Sequence, residues 1–542
     1  MNKEQLGSLV LALAMGTSIV GMTACNNRHV DDPNVLEIYV LHKGNGVQWC
    51  YDMVDAFKEQ DWVKEKYPNL QVAALTTNDV DSFAAGQINA GEGKNRFDLL
   101  FTHMDGQSYA GPTGQFEDLT QSVYYADVPG ENVKYIDKHN ASYTFVNRFI
   151  DTSNENSESY YQTSWNHGMD SIVYNETLLT ALGKDVPNTT DEFIAICDYV
   201  LDINNRPAGV YDKTFAIQQA KSRYWDYLYP VWWAQYQGID GYLDFWNGID
   251  NNRLSINIFD QQGREESLKI FEKVLKFETG YVAQDSMSHE FMQGQTMFLR
   301  GNGIFHVNGD WFDNEMSDIT AQIKAEGGVV ANYKFKIMRL PIISALGTKL
   351  GIDDATLSAV VDYVDGETET VPTINSTEGY TSEEVVNAVC EARSIVHSLG
   401  TKHAGIIPKY AAAKDEAIDF LRFMATDIAQ DIYLKATGGS SLPFEYNVKE
   451  KNPELYNSLT PFHQSRLDYF NEEKFEIYTL PDDESFPLAQ YGGLTANYNL
   501  MYWNTFHAQG NTTTAADIIA ETKEFWDQEK WETALASAGI AK

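Results

Sequence analysis

The sequence predicts an α/β fold in which short strands alternate with helices around a parallel, wound sheet. A strand at 36–41, a Gly-rich turn at 42–46 and a helix from Trp49 to Lys58 form a first β-turn-α unit. Further strands are predicted at 70–75 and 97–101, each after a turn or a helical segment. Strands that alternate with helices in this way are typical of a parallel sheet with helices packed on its faces.

The stretch from Phe291 to Phe312 carries the clearest local pattern in the chain. An apolar segment is broken at Gly301-Asn302-Gly303, and a short buried strand is predicted at 304–307, ended by Asn308-Gly309-Asp310-Trp311. In an open α/β sheet, ligands bind at the carboxyl ends of the strands. The pattern therefore predicts that Trp311 offers an indole face to a ligand with a flat apolar surface.

Length and composition restrict the class of protein. The chain has 542 residues, of which 43% are hydrophobic, enough for a large core and two or more domains. Its formal net charge is -37, from 77 acidic and 40 basic residues. Phosphate recognition needs clustered Lys and Arg, so nucleic acid is not expected as a partner, nor is direct docking on anionic lipid headgroups. The acidity itself indicates a solvated surface and identifies no ligand.

The amino terminus is typical of a bacterial lipoprotein. Lys3 is followed by an apolar segment at 6–20 that is too short for a comfortable membrane span. Met22-Thr23-Ala24-Cys25 then resembles a lipobox, in which small residues precede the cysteine that is acylated. We expect residues 1–24 to be a signal peptide, Cys25 to be lipidated and 25–34 to be a tether, since a multiply acylated cysteine anchors stably. The alternative is a plain signal peptide with an incidental cysteine.

Several further motifs occur in a fixed order along the chain. They are a strand end at 97–105 followed by Phe116-Glu117-Asp118-Leu119-Thr120, then Tyr174-Asn175 with Pro187, Thr189 and Glu192, and finally His403-Ala404-Gly405-Ile406-Ile407-Pro408 and Thr437-Gly438-Gly439 with Pro443. Together with the 291–312 stretch, they resemble the carbohydrate-type solute-binding proteins of ABC importers, the family of maltose-binding protein. Each motif is weak alone, but their order and spacing are fairly specific.

The resemblance implies a two-lobed, periplasmic-binding-protein-like α/β fold, with hinge crossings and a ligand cleft between the lobes. It places residues 35–165 and 341–437 in lobe 1, and residues 166–340 and 438–542 in lobe 2. Residues 346–399 do not fit the family pattern, and we expect them to form a surface insertion in lobe 1. The strand at 333–341 is expected to lead into the second crossing between the lobes.

The resemblance also implies a set of ligand contacts. Aligned on the family pattern, strand ends place polar contacts at Thr102, His103 and Asp105, and Asn45 is expected beside them. An N-cap or a solvated loop residue is an equally good interpretation of Asp105, and His103 has no second His or Cys nearby to form a metal site. The full expected set is Asn45, Thr102, His103, Asp105, Trp165, His167, Trp225, Tyr227 and Trp311.

The aromatic members of this set are harder to assign. Spacing back from Gly238 puts Tyr224, Trp225 and Tyr227 near the aromatic wall of the family's cleft. An aromatic stripe is more often core than binding surface. We expect Trp225 or Tyr227 to touch ligand, rather than Trp232 or Trp233.

The function implied by the resemblance is capture of a sugar or oligosaccharide and its delivery to an ABC transporter permease. The protein is then a lipid-anchored monomer on the extracellular face of the bacterial cell membrane, without cofactor, metal or catalytic residues. A secreted glycan-processing enzyme, or the same fold binding a peptide or another non-sugar solute, remains the alternative. No P-loop, Gly-x-Ser-x-Gly or His-Glu-x-x-His motif is present. None of the four cysteines forms a C-x-x-C pair, and no essential disulfide is expected.

Overall fold

A computed structural model of the chain describes residues 32–540, with gaps at 43, 78–85, 87–90, 93, 95, 103–114, 151–157, 208, 222, 471–474 and 496–501. Cys25, His103 and Asp105, which the sequence singled out, lie outside the described residues. Two separate sheets organise the fold. We call the first sheet and the helices packed on it the first lobe, and the second sheet with its helices the second lobe.

The first sheet has five strands, in the order Gln71–Thr77, Val35–Leu41, Leu99–Thr102, Ala404–Ile406, Thr163–Ser164. The first three are parallel, whereas Ala404–Ile406 runs antiparallel to both of its neighbours. The predicted wound sheet is thus confirmed for the amino-terminal strands. Its central strands are apolar and buried on both faces, as parallel strands under helices require. The α-helices packed in this core are Gln48–Glu59, Asp61–Lys66, Tyr135–Lys138, Lys414–Met424 and Asp427–Thr437.

The second sheet is a small antiparallel one, in the order Phe305–Gly309, Asp170–Asn175, Phe335–Met338. Alternate residues of its central strand face two different apolar clusters: Ile172 and Tyr174 enter one, and Val173 enters the other. This is the period-two alternation of a strand covered on both sides. The predicted strand at 304–307 is confirmed, and it ends directly before Asp310-Trp311.

Helices cover both faces of the second sheet. Those packed in the larger cluster are Glu176–Ala181, Thr190–Leu201, Leu228–Gln237, Ile239–Asn247, Gln262–Leu275, Ala345–Leu350, Asp354–Val364, Ser382–Ser394, Pro487–Gln490, Tyr502–Phe506, Ala515–Phe525 and Gln528–Ser537. Those on the other face are Phe291–Leu299, Phe312–Glu315, Ser317–Glu326 and Pro461–Phe470. Thr189 caps the helix Thr190–Leu201, because its side chain accepts a hydrogen bond from the Glu192 backbone N–H. Short elements complete the description: the helices Ala141–Asn147, Val448–Lys451 and Pro453–Ser458, and the strand pairs Arg148–Ile150 with Glu158–Tyr160, Ile249–Asp250 with Arg253–Leu254, and Ile395–Val396 with Tyr478–Thr479.

The expected placement of residues 346–399 is wrong. Leu350, Leu357, Val361 and Val389 are buried in the second-lobe core with Trp232, not on the surface of the first lobe. The return to the first lobe therefore falls at 397–403 and not at 341, because the chain after Phe335–Met338 stays with the second lobe until Val396. The helices carry amphipathic faces that fit either core, and the sequence does not say which. The other domain boundaries stay predictions.

Three crossing segments, 164–170, 397–403 and 437–441, join the lobes, and we call them the hinge. They pair with each other through isolated bridges, His167 with Ser441 and Asp170 with His397. The hinge is therefore a small hydrogen-bonded unit rather than three independent linkers. Among the described residues, no helix is both long and apolar enough to span a bilayer.

Candidate ligand cleft

A cavity of about 140 Å³ lies between the two lobes, and we call it the cleft cavity. Its first-lobe lining lies at strand ends of the first sheet. Its second-lobe lining is Trp311 and Glu315, which come after the strand Phe305–Gly309, together with Tyr224 from the short helix Arg223–Tyr227. The lining residues are Leu41, Gly44, Asn45, Gly46, Trp165, Tyr224, Trp311, Glu315, Leu399 and His403. Strand ends of the two sheets thus meet at one cleft, as predicted.

Trp165 forms a fixed part of the first-lobe side. Its ring stacks on His403 at 4.5 Å between centroids and on Trp49 at 5.2 Å. Its indole N–H donates to the Thr102 carbonyl oxygen at 3.2 Å. With its polar atom satisfied and both faces packed, the ring is held in one orientation and lends only an edge to the cavity.

Trp311 forms the second-lobe side. It follows the strand Phe305–Gly309 directly and remains half-buried. Its ring packs edge-on against Tyr224 at 6.0 Å and Tyr227 at 6.4 Å. Those two tyrosines stack on one another at 5.4 Å, so the indole is braced by a short aromatic array.

The lobes touch where Trp311 meets the turn after the first strand. A Cβ atom at Gly44 would lie 2.7 Å from the Cβ of Trp311, a distance that only glycine allows. Asn314 also donates a hydrogen bond from its side-chain amide to the Gly44 carbonyl. The Gly-rich turn at 42–46 is therefore what lets the two lobes approach closely on this side of the cavity.

Asn45 supplies an amide at the base of the cleft. Its Nδ2 donates to the Tyr433 hydroxyl at 3.4 Å, and its Oδ1 accepts from the Ser440 hydroxyl at 3.3 Å. The Tyr433 hydroxyl in turn donates to Asn166 Oδ1 at 3.2 Å, which ties this network to the hinge. Within the part of the chain that the structure describes, these two bonds leave one N–H of the Asn45 amide and a second lone pair of its oxygen for a further partner.

Glu315 is the carboxylate of the cleft cavity. It accepts a hydrogen bond from the Gln295 amide at 3.2 Å, and burial raises its pKa above the ordinary value. A carboxylate in this position accepts hydrogen bonds from hydroxyl groups of a neutral ligand. With rings on both sides and amide and carboxyl groups between them, the cavity suits a neutral solute that has apolar faces and hydroxyl edges.

Charged groups lie buried against the hinge. Asp310 and Arg466 are both fully buried, with Arg466 Nε 3.8 Å from Asp310 Oδ2. Burial raises the Asp310 pKa to about 6, while Arg466 opposes that shift. Arg466 also donates to the carbonyl oxygens of His167 and Gly439, one on each of two crossing segments. The pair therefore holds the hinge and does not line the cleft cavity.

The structure brings together only part of the expected ligand set. Asn45, Trp165 and Trp311 line the same cavity, and Tyr227 lies next to it against Trp311. Thr102 is fully buried in its strand, and its carbonyl holds Trp165.

Two expected contacts lie elsewhere. Trp225 belongs to the second-lobe core, where it packs against Phe271 at 6.4 Å, so the expectation that it touches ligand is wrong for this structure. His167 lines a different cavity of about 640 Å³, bordered by Asn140, Ser441 and Phe470. That larger cavity contains neither tryptophan of the cleft, which is why we do not take it as the ligand site.

The cavity lining also includes residues outside the expected ligand set, among them Glu315, Leu399 and His403. Glu315 sits one helical turn after Trp311, a spacing that places both on one helix face. His403 directly precedes the strand Ala404–Ile406, which borders the strand Leu99–Thr102 that ends at the cleft. Leu399 carried no sequence signal, because its position depends on the hinge path.

The fold is shared with solved solute-binding proteins. The solute-binding protein RafE, solved in complex with raffinose, superposes with a TM-score of 0.53 at 15% identity, over 90% of this chain and 99% of that one. An ABC substrate-binding protein from Listeria monocytogenes, solved with cycloalternan, gives 0.54 at 14% identity, over 94% and 100%. The GacH receptor of Streptomyces glaucescens, solved unliganded and with acarbose, gives 0.53 at 12% identity, over 92% and 98%.

No protein-family model matches this chain, and no curated protein matches it either. The likeness to the solved structures is therefore one of fold, spread over nearly the whole length of both chains. The chain has the two-lobed fold of ABC-transporter solute-binding proteins, with an inter-lobe cleft as the sequence predicted.

Proposed function

We propose that this protein captures a sugar or oligosaccharide in the inter-lobe cleft and delivers it to the permease of an ABC transporter. The observation that carries the proposal is that Trp165 and Trp311, one from each lobe, line one cavity together with the amide of Asn45. The half-buried ring of Trp311 can pack against the apolar face of a sugar ring, the edge of Trp165 adds apolar contact, and the amide matches the hydroxyl edges. The structural neighbours were solved with raffinose, cycloalternan and acarbose, and these ligands support the same ligand class.

The mechanism is closure of two lobes about the hinge. A ligand that contacts both lobes stabilises the closed arrangement by the difference in its affinity for the closed and open forms. Inside the closed cleft each polar group of the ligand must find a partner, because an unpaired buried group costs about 1–3 kcal/mol. Selectivity then comes from Asn45, Glu315 and backbone groups at the strand ends.

The finer parts of the proposal rest on the sequence. Cys25 is the lipid-bearing residue, which places a monomeric receptor on the extracellular face of the membrane, next to its permease. The fold neighbours are binding proteins, and this supports a receptor rather than an enzyme.

The test is a thermal-shift screen of the chain from Asn26 onward against neutral mono- and oligosaccharides, uronates, peptides and anions. A ligand stabilises its receptor by about 2.7 kcal/mol at a hundredfold excess over its dissociation constant. A shift with one neutral sugar class, with the sugar recovered unchanged, supports the proposal. A shift only with peptides or anions would overturn the ligand class, and conversion of the sugar would overturn the receptor role.

A further inference from the structure

The aromatic residues of the cleft wall are in contact with a ring of the hinge. His397 opens the second crossing segment, and its ring stacks on Tyr227 with 5.0 Å between centroids and 16° between the ring planes. Tyr227 stacks in turn on Tyr224 at 5.4 Å, and both tyrosines pack edge-on against Trp311. These four rings, which we call the ring array, therefore form one connected set of contacts from the hinge to the cleft cavity.

The hinge fixes the ring of His397 at one end of this array. Nδ1 of the ring donates a hydrogen bond to Oδ2 of Asp170 at 2.7 Å, and the same oxygen accepts one from the Leu399 backbone N–H at 2.7 Å. The His397 carbonyl oxygen also accepts a hydrogen bond from the Asp170 backbone N–H at 2.9 Å. A side chain that is bonded in this way keeps one rotamer and offers its neighbours a fixed surface.

The indole of Trp311, at the other end of the array, is less firmly held. Trp165 has packed faces and a bonded indole N–H, whereas Trp311 is half-buried. Among the described residues, the rings that pack against Trp311 are those of Tyr224 and Tyr227. Because an indole that is already oriented loses less freedom when a ligand binds, these contacts favour binding.

Neither His397 nor Tyr227 lines the cleft cavity. Both line a second cavity of about 310 Å³, which we call the side cavity and which shares Leu399 with the cleft cavity. An effect of His397 on a ligand in the cleft cavity is therefore indirect. The ring contacts offer a path for it, through Tyr227 to Trp311.

We propose that His397 is a positioning residue of the ligand cleft: by stacking on Tyr227, it holds the indole of Trp311 in the orientation that receives a sugar ring. This inference rests on the proposed sugar-binding function, and it adds a residue that acts on affinity without lining the cleft cavity. The stacking face of His397 carries this role, and its hydrogen bond to Asp170 belongs to the hinge.

Two substitutions separate the ring of His397 from its hydrogen bond. His397→Asn keeps a side-chain N–H for Asp170 and removes the stacking face, whereas His397→Phe keeps the face and removes the N–H. Calorimetry with raffinose, and with the neutral sugar that gives the largest shift in the thermal-shift screen, measures the dissociation constants. His397→Asn should weaken binding about fivefold, and His397→Phe should stay within about twofold of wild type. A single cooperative unfolding transition shows that each variant is folded.

A double-mutant cycle tests the path through Tyr227. Tyr227→Leu alone should weaken binding at least as much as His397→Asn, because it removes the ring between the hinge and Trp311. Adding His397→Asn to Tyr227→Leu should then change the affinity by less than about twofold. A purely structural role of His397 would instead give losses that multiply, and that result would overturn the proposal.

Fluorine NMR follows the surroundings of Trp311 without any sugar. The protein is labelled with fluorotryptophan, and the Trp311 line is assigned from its loss in Trp311→Phe. This line should shift in His397→Asn and stay in place in His397→Phe. The line of Trp526, a core residue that packs against Phe259, is the control and should stay in place in both variants.

The outcomes distinguish the positioning role from the proposed function. Equal affinity in wild type and His397→Asn, or an unchanged Trp311 line in His397→Asn, would overturn the positioning role while leaving sugar binding in place. If wild type binds no saccharide, the proposed function fails, and the Trp311 line still decides whether His397 holds that indole.

Discussion

Asp310 and Trp311 are adjacent in the chain, and they serve two regions of the molecule that differ in chemistry. Trp311 is half-buried on the cleft wall among rings, whereas Asp310 is fully buried against the hinge, beside Arg466. Among the residues that line the cleft cavity, Glu315 is the carboxylate, and the others are apolar, aromatic or neutral polar groups. Asp310 and Arg466, by contrast, are closed to solvent and bear opposite charges. One strand end therefore supplies both a ring that lines the cavity and a charged group that packs against the hinge.

Because the two regions differ in burial and charge, we expect substitutions at the hinge and on the cleft wall to affect different measured quantities. Changes in the hinge should appear mainly in the free energy of unfolding, because buried charges without partners are costly. Changes on the cleft wall should appear mainly in ligand affinity, because half-buried rings contribute less to the core. The following predictions test that separation, from the largest expected effect to the smallest.

Arg466→Met should lower the free energy of unfolding by about 3–5 kcal/mol, because it leaves Asp310 buried without a counter-charge. Denaturant unfolding at neutral pH measures it. The matched control is Arg466→Met with Asp310→Asn, which should recover part of the loss since the uncompensated carboxylate is gone. A loss below about 1 kcal/mol in the single variant would show that the pair does not hold the hinge.

The free energy of unfolding should depend on pH in part through the titration of Asp310. Its folded pKa is about 6, and the ordinary value is about 3.9, so between these pH values the folded state binds more protons than the unfolded state. The Asp310 contribution to stability therefore falls as pH rises through that window, by up to about 3 kcal/mol.

Asp310→Asn isolates this contribution from that of other groups. Burial also raises the pKa of Asp170 and lowers that of His167, so the wild-type curve alone is a composite. The measurement is the difference in unfolding free energy between wild type and Asp310→Asn from pH 4 to pH 7. The unfolding free energy of wild type minus that of Asp310→Asn should decrease as pH rises. A difference that does not change with pH would contradict a raised Asp310 pKa.

Trp311→Ala should weaken sugar binding at least about tenfold, equivalent to about 1.4 kcal/mol, through loss of a stacking partner. Its unfolding free energy should change much less than that of Arg466→Met. Trp225→Phe is the control, because Trp225 is another second-lobe tryptophan but lies in the core. It should lower stability and leave affinity unchanged. Unchanged affinity in Trp311→Ala would remove Trp311 from the site.

Gly44→Ala should give the smallest effect, a loss of affinity of about threefold to tenfold without a change in unfolding free energy. The added methyl group would meet Trp311 across the cleft and disfavour close approach of the lobes. Calorimetry with the same sugar measures it, and Gly86→Ala is the control, because the Cβ position of Gly86 meets no atom within 4 Å and its backbone does not have a positive φ. Equal affinity in wild type and Gly44→Ala would show that ligand binding does not need this contact.

Several parts of the fold could be predicted from local sequence. Strand Val35–Leu41 and helix Gln48–Glu59 follow from hydrophobic periodicity, and helix Thr190–Leu201 follows from its cap at Thr189. The amphipathic pattern over 415–434 is that of one continuous helix, yet this segment forms two helices, Lys414–Met424 and Asp427–Thr437, since Thr426 caps the second one. The polar residue at the break satisfies backbone groups that a continuous helix would have satisfied itself.

The sequence predicted the cavity-lining residues that lie at strand ends. It did not predict those whose place depends on the direction in which the side chain points. Trp311 and Asn45 follow glycine turns at strand ends, so their place at the cleft follows from α/β topology. Trp225 and Tyr227 lie two residues apart in one short helical segment, yet the first enters the core and the second faces the side cavity. Composition and spacing do not distinguish them, because both are large rings in a stripe.

By itself, the sequence determined that strands and helices alternate, that strand ends carry Asn45 and Trp311, and that crossings occur near Trp165 and Gly438. These are local facts of backbone propensity and turn chemistry. Only the tertiary structure decided that residues 345–394 join the second lobe, that Arg466 meets Asp310 in the hinge, and that Leu399 links two cavities. The reason is physical: such contacts join residues far apart in the chain, and their energies depend on burial and charge that arise only when both lobes are packed.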